Sequence, residues 1–286
     1  LDSIPTKQVQ NSVLISHNSE QDGMEKEDEN TIKLYSKQSH HTSDSQTNTH
    51  QISTSTITKT NSTSKVKAKT SVAKPFEEQA ENQFALGIAY YKGQGVNQDF
   101  IEALKYFQRA ANQDNAEAQF YLGRIYEPGK GVKGDIAKAM LWYEKAADQG
   151  NDTASLRLAI IYTNGLGVKI DLTEAATWLK ISANNGNAEA QFALGVAFDN
   201  GQGVNKSPRQ AEHWLDMAAT QGHAKAQYYL GLIYEYGNGV EKDFAIAAEC
   251  YRYSAQNGFQ DAQHALGDAY ANGKGLEKDW VKAAKW

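Results

Sequence analysis

The sequence lacks several features that define whole classes of protein. It has one cysteine, Cys250, in 286 residues, so it has no internal disulfide and no set of thiolates for a metal. It has no run of about 18 apolar residues, which predicts that no segment spans a membrane. Basic residues are not in excess: the net charge of -5 argues against a nucleic-acid-binding surface, which usually carries a basic stripe.

Aromatic residues are nearly absent before Phe76. All five Trp and all nine Phe lie at or beyond that residue, as does every Tyr except Tyr35. The segment before it consists largely of Ser, Thr, Gln, Asn and Lys, and it has too few apolar side chains to bury a core. Residues 1–77 are therefore predicted to be a disordered tail or linker, and a core is expected only in residues 78–286.

From residue 80 onward the chain repeats one 36-residue pattern without insertions. The copies are residues 80–115, 116–151, 152–187, 188–223, 224–259 and 260–286, the last of them incomplete. Each copy contains a Leu, an aromatic residue four positions later and then a G-x-G turn, as in Leu194, Phe198 and the glycines Gly201 and Gly203. A fixed period of this length predicts a solenoid in which each unit packs only on its neighbours, so we expect one array rather than two domains.

Each repeat is predicted to form two helices joined by the G-x-G turn. Apolar or small residues fall at the third, seventh, tenth, eleventh and fourteenth positions of a repeat, which is the spacing of one helix face, and we call this first helix A. Glycine ends helix A because it accepts left-handed backbone angles at low cost. The second helix, B, begins after an N-cap residue, which is Asp99, Asp135, Asp171, Ser207, Asp243 or Asp279.

Helix B carries a small residue followed three positions later by a larger one, which is predicted to fill the gap between the helices. The pairs are Ala103/Tyr106, Ala139/Trp142, Ala175/Trp178, Ala211/Trp214, Ala247/Cys250 and Ala283/Trp286. The alanine leaves room and the aromatic ring occupies it. Because Cys250 stands at one of these core positions, we interpret it as an inert buried thiol.

These motifs resemble the Sel-one-like repeats, which are helix-turn-helix relatives of the tetratricopeptide repeat. Residues 188–203, AEAQFALGVAFDNGQG, come close to the family pattern, and the match extends over residues 80–286. The resemblance implies an all-α fold, a right-handed α-α superhelix that holds partner proteins in assemblies, and it implies no reaction. Three departures are Ala159, where the other copies have Gly, Cys250, where they have Trp or Tyr, and Pro128 near the end of one helix A. A bacterial cell envelope, periplasmic or secreted location is favoured over the cytoplasm.

The A helices predict a partner-binding surface, because some of their positions vary while the frame repeats. Positions five, nine and twelve point away from the core of the repeat, with positions six and thirteen beside them. Position five is mostly apolar, as in Phe84 and Phe192, which indicates either packing on the neighbouring helix A or the lining of a groove. The candidate partner-binding residues of this concave groove are Tyr91, Arg124, Glu127, Arg157, Asp199, Glu235, Tyr236 and Asp268. Their charges make the groove mildly acidic, which suits a partner segment with basic and apolar residues.

No group of residues predicts a catalytic, cofactor or metal site. The G-x-G turns lack the preceding strand and the third glycine of a dinucleotide-binding loop. The leading interpretation is a non-enzymatic scaffold or adaptor, a monomeric array that binds a protein or peptide of unknown identity and no nucleic acid. Two alternatives stay open: an enzyme or enzyme subunit that acts on cell-wall material, and a targeting module of a larger protein.

Overall fold

The computed structural model describes residues 79–286, and this part of the chain is helical with no strand. The helices are α1 (Ala80–Lys92), α2 (Phe100–Ala111), α3 (Ala116–Tyr126), α4 (Ile136–Asp148), α5 (Asp152–Asn164), α6 (Leu172–Asn184), α7 (Ala188–Asn200), α8 (Pro208–Thr220), α9 (Ala224–Tyr236), α10 (Phe244–Gln256), α11 (Gln260–Asn272) and α12 (Trp280–Lys285). Odd-numbered helices are the A helices and even-numbered helices are the B helices. The tail predicted for residues 1–77 lies outside the described residues.

Consecutive helices pack on one another along the whole array, which confirms the predicted solenoid of six two-helix repeats. The core is continuous across repeat boundaries. One cluster of buried side chains, for example, joins Phe192 of α7, Leu215 of α8 and Leu230 of α9. From the second repeat onward, helix A is therefore held between the B helix of its own repeat and the B helix of the preceding one.

The helix ends follow the predicted signals. Most A helices end at a glycine with left-handed backbone angles, such as Gly201 with φ of 71°. Helix α3 is the exception and ends at Tyr126, two residues before Pro128. All six predicted N-cap residues of the B helices accept a hydrogen bond from a backbone N–H in the first turn, as Asp99 does from Ile101 and Glu102.

Within a repeat, a glycine of helix A makes room for a large side chain of helix B. A Cβ atom at Gly123 would overlap the ring of Tyr143, and one at Gly195 would lie 2.7 Å from Cγ of Leu215. The most buried large side chain of helix B is therefore the residue after the predicted one. Trp178 of α6 is only partly buried, whereas Leu179 beside it is 7% exposed, so the predicted residue is not the most buried one in this repeat.

Between repeats, a buried glutamine of helix A links two B helices. The Nε2 atom of Gln191 donates to the carbonyl oxygen of Ala183 at 3.1 Å, near the end of the preceding B helix. Its Oε1 atom accepts from Nε2 of Gln221 at 2.7 Å, just beyond the B helix of its own repeat. The same pair of contacts recurs at Gln119 and Gln227. A buried amide is satisfied in this way, and a carbonyl group near the end of α2, α6 or α8 gains a partner.

Candidate functional site

The surface formed by positions five, six, nine, twelve and thirteen of the A helices, here called the A-helix face, is not uniform along the array. In repeats one to four, positions five and nine are buried except at Arg124. Phe84 of α1 packs on Tyr121 of α3, and Phe192 of α7 packs on Tyr229 of α9. Of the two interpretations of position five, packing against the neighbouring A helix is therefore what occurs in these repeats.

Position twelve of one repeat contacts the middle residue of the G-x-G turn in the next repeat, 39 residues later. Lys130 donates to the hydroxyl of Tyr91 at 3.0 Å, Asn238 donates to Asp199 at 2.7 Å, and Lys274 donates to Glu235 at 3.0 Å. Three of the candidate partner-binding residues thus join adjacent repeats. When the residue at position twelve changes from one repeat to another, the turn residue that contacts it changes as well.

The first of these contacts lies in a cluster of rings and cations. The side chain of Tyr91 is only 6% exposed, and its ring packs edge-on against Phe100 and Tyr121. The Arg124 guanidinium lies 5.6 Å from the centre of the Tyr91 ring, and the Lys130 ammonium lies 5.1 Å from it. The two cations therefore cover Tyr91 rather than leave it open to a partner.

A second cluster fixes Glu127 and Arg157. The Arg157 guanidinium forms an ion pair with one oxygen of Glu127, and the Tyr143 hydroxyl donates to the other oxygen at 2.7 Å. Burial, and then the Glu127 charge, raise the pKa of Tyr143 well above its ordinary value, so this phenol stays protonated and donates. Both candidate residues are consequently occupied by contacts between repeats two and three.

A different arrangement occurs at repeats five and six, where a cavity of about 330 Å³ opens between α9, α10 and α11. We call it the α9–α11 cavity. Three candidate residues lie in its wall, namely Glu235, Tyr236 and Asp268. Tyr236 is 45% exposed and the Asp268 side chain is largely exposed. The structure therefore groups these three residues and separates them from Tyr91, Arg124, Glu127, Arg157 and Asp199.

The residues of repeat six leave this space open. Position six is Tyr121 in repeat two and Tyr229 in repeat five, where these rings cover the position-five side chain of the preceding repeat. In repeat six the same position is Ala265, and position five is His264, whose side chain is exposed. Both Ala265 and His264 line the cavity. Beside them Tyr228 and Leu232 are only partly buried, whereas their counterparts in repeats one to four, except Arg124, are buried.

The cavity carries a negative potential. Its walls include the carboxylates of Glu235, Asp261 and Asp268 and one ammonium group, that of Lys274. Burial raises the pKa of Tyr228 to about 12, and the nearby Asp261 carboxylate adds to this effect. The hydroxyl of Tyr251 donates to Glu235 at 2.6 Å, and burial together with this contact keeps its pKa well above the ordinary value. Since the phenols are neutral and only Glu235 pairs with Lys274, the wall suits a cation rather than an anion.

Sequence reasoning missed Tyr228, Asp261 and Lys274 as members of this site. Tyr228 stands at position five, for which the sequence leaves open packing on the neighbouring helix A or lining of a groove. Asp261 lies near the start of α11, outside the positions expected to face the groove. Lys274 lies in a G-x-G turn. The sequence signal that could have identified Lys274 is the 39-residue spacing. This spacing pairs opposite charges at Glu235 and Lys274, and hydrogen-bonding groups at Asp199 and Asn238.

Over residues 79–286, no three His, Cys, Asp or Glu side chains come together as a metal site, and no helix there is long and apolar enough to cross a membrane. Burial, and then the Glu249 and Asp216 charges, raise the pKa of the Cys250 thiol to about 12. This thiol is therefore protonated at neutral pH and is a poor nucleophile.

A family model described as Sel1 repeat matches the chain six times, at residues 81–115, 116–151, 153–187, 188–223, 224–259 and 260–286. The chain belongs to the Sel1 repeat family. Sel1 repeat proteins generally have a non-enzymatic scaffold fold that commonly mediates protein interactions. No curated protein matches the chain.

Two solved structures of Sel1 repeat proteins are similar to this chain. One is c5321, a protective antigen present in uropathogenic Escherichia coli strains, with 36% identity over 72% of this chain and a TM-score of 0.70. The chain covers 44% of the length of that antigen. The other is a Sel1 repeat protein from Oxalobacter formigenes, with 32% identity, a TM-score of 0.62, and coverage of 73% of this chain and 84% of that one.

Proposed function

We propose that this Sel1 repeat array is a non-enzymatic scaffold that binds a segment of a partner protein in a concave groove along the A-helix face, with the α9–α11 cavity as the main contact. The observation that supports this most is the contrast between the two ends of the face. In repeats one to four the variable side chains contact one another, whereas in repeats five and six Tyr236 and Asp268 remain accessible beside a cavity.

The candidate residues then divide into two groups. Tyr236 and Asp268 contact the partner directly, and Glu235 lines the cavity beside them while it pairs with Lys274. The remaining five, Tyr91, Arg124, Glu127, Arg157 and Asp199, hold adjacent repeats in register and shape the rest of the groove. Three candidate nucleophiles give no support to an enzymatic role on cell-wall material, because the Cys250 thiol is protonated and the buried hydroxyls of Ser182 and Ser254 donate to backbone carbonyl groups.

A site-specific photocrosslinker tests this proposal with a matched control. It is placed at Tyr236 in one variant and at Tyr253 of α10 in the other, since these tyrosines are 45% and 46% exposed but only Tyr236 lines the cavity. In cells of the source organism we expect a defined protein adduct at position 236 and none at 253. The double substitution Tyr236→Ala and Asp268→Ala should reduce capture of that protein while the array stays folded, because exposed substitutions usually cost less than about 0.5 kcal/mol each.

An adduct with the same protein at position 253 alone would contradict the proposal, as would undiminished capture by the double variant. Thermal unfolding followed by circular dichroism is the control for folding in both cases.

A further inference from the structure

We infer that the α9–α11 cavity receives an arginine side chain of the partner. This inference rests on the proposed function and adds the chemistry by which the site selects its partner. It is carried by three observations: the charge of the cavity wall, the aromatic rings in that wall and the size of the space.

The three carboxylates of the cavity wall differ in whether a cation already pairs with them. Glu235 is already engaged, because it accepts from the Tyr251 hydroxyl at 2.6 Å and pairs with the Lys274 ammonium at 3.0 Å. Within residues 79–286, neither Asp261 nor Asp268 forms an ion pair with a Lys or Arg side chain. The Nδ1 atom of His264 lies 4.0 Å from Asp268, and both of these side chains are exposed. Two carboxylates thus remain to accept hydrogen bonds from an incoming cation.

The aromatic wall favours a guanidinium over an ammonium group. Tyr228 and Tyr236 both line the cavity, and each presents a ring. A third ring, Phe244, already has the ammonium groups of Lys242 and Lys274 within 5.6 and 5.8 Å of its centre. A guanidinium is planar, stacks on such rings and donates two parallel hydrogen bonds to a carboxylate, whereas an ammonium group acts as a compact point charge.

The size of the space fits one side chain. A volume of about 330 Å³ lies at the lower end of the range for ligand pockets, about 300 to 1,000 Å³. A long side chain on an extended segment can enter it, while the remainder of that segment follows the A-helix face. The cavity is therefore suited to anchor one residue of the partner.

Calorimetric titration with defined peptides tests the inference. The probe is the blocked pentapeptide acetyl-Gly-Ala-Arg-Ala-Gly-amide, and the matched control carries citrulline, which has nearly the same shape and no charge, in place of arginine. We expect the arginine peptide to bind with a dissociation constant of about 1 mM or below. The citrulline peptide should bind at least about tenfold more weakly, because charge-assisted hydrogen bonds and cation–π contacts are lost.

Protein variants then locate the binding. Asp261→Asn with Asp268→Asn should remove the preference for arginine over citrulline, whereas Asp148→Asn, which alters an exposed carboxylate in repeat two, should leave it unchanged. Ala265→Tyr should abolish binding, because it restores the tyrosine that covers position five in repeats one and four. Ala193→Tyr, at the same position of repeat four, is the control for adding a ring.

Equal affinity for the arginine and citrulline peptides would overturn the inference, and so would binding that survives Ala265→Tyr. The two proposals fail separately. If the partner crosslinks at position 236 but its capture is unchanged by Asp261→Asn with Asp268→Asn, the scaffold function stands and recognition of arginine is wrong. If the arginine preference is present but no partner crosslinks at position 236, the scaffold function is the one that fails.

Discussion

The two glycines of each G-x-G turn have different physical reasons to be glycine. The first ends helix A in the left-handed conformation, as at Gly201. The second also has a positive φ, and in repeats two to six it lies against the start of the preceding B helix. At Gly203 a Cβ atom would overlap the carbonyl group of Leu172, whereas at Gly95, in repeat one, it would meet nothing within 4 Å. The second glycine is therefore a contact between repeats.

This difference predicts unequal costs for the same substitution at two equivalent positions. Gly95→Ala should cost about 1–2 kcal/mol, because alanine is strained at its φ of 74°. Gly203→Ala has a similar φ of 70° but should cost about 1–3 kcal/mol more, because the backbone of α6 must move to admit the new methyl group. Urea unfolding of both variants measures the difference. Equal free energies of unfolding would show that the second glycine serves only the turn.

At the scale of the helix, the N-cap residue of an A helix often serves two repeats. Asn187 accepts from the backbone N–H of Ala190 and donates to Asp152 of the preceding A helix at 2.8 Å. His223 does the same with Ala226 and Glu189: its Nδ1 accepts from Ala226, so Nε2 carries the proton and lies 2.9 Å from Glu189. A cap that stabilises one helix therefore also sets the distance to the helix before it.

The His223–Glu189 contact predicts a dependence of stability on pH. Burial alone would raise the pKa of Glu189, but the hydrogen bond from Nε2 of His223, with the charge of Lys225, lowers it below the ordinary value of 4.5. A lowered folded-state pKa adds stability above the unfolded-state pKa, and this stability is lost as the pH falls through the folded-state value. At neutral pH Glu189→Gln should thus be less stable than the parent, by less than about 1 kcal/mol because the carboxylate is partly exposed.

The difference between the parent and Glu189→Gln should close as the pH is lowered below 4.5. Urea unfolding at a series of pH values measures it, and Glu241→Gln, in an exposed turn, is the control. A difference that stays constant at all pH values would mean that the charge of Glu189 contributes nothing.

The local elements were predictable from sequence because their causes are local. Caps such as Asp99 and turn glycines such as Gly201 act within a few residues of their own position. The contact of Glu235 with Lys274 was not predicted, because it depends on how one repeat stacks on the next. The same limit applies to Trp178, since a shift of one residue around a helix decides which of two neighbouring side chains faces the core. Predicting the α9–α11 cavity would require both the local pattern within each repeat and the way in which one repeat stacks on the next.

At the scale of the molecule, stability is a sum over repeats and the contacts between them. Leu86 of α1 is 39% exposed, whereas its counterparts in later repeats, such as Leu122 and Leu158, are fully buried, because no described repeat lies before α1. At the other end, α12 contains no buried residue. Within residues 79–286, the central helices have a neighbouring repeat on both sides, whereas α1 and α12 have one on one side only.

Hydrogen exchange should therefore follow position in the array. We expect the slowest amide exchange in α3 to α9 and the fastest in α12, with α1 between them, because helices with fewer buried contacts open at lower free energy. Mass spectrometry of peptic fragments measures this order. Uniform protection from α1 to α12 would show instead that the array opens only as a single cooperative unit.

The 39-residue contacts also restrict how the number of repeats can change during evolution. Loss of residues 224–259 would bring Lys274 to Asp199, which replaces one complementary pair by another. Loss of residues 116–151 would instead bring Leu166 to the hydroxyl of Tyr91, which would lose its donor. Deletion of the fifth repeat would therefore keep a complementary contact at the new junction, whereas deletion of the second would not, although both copies have the same length.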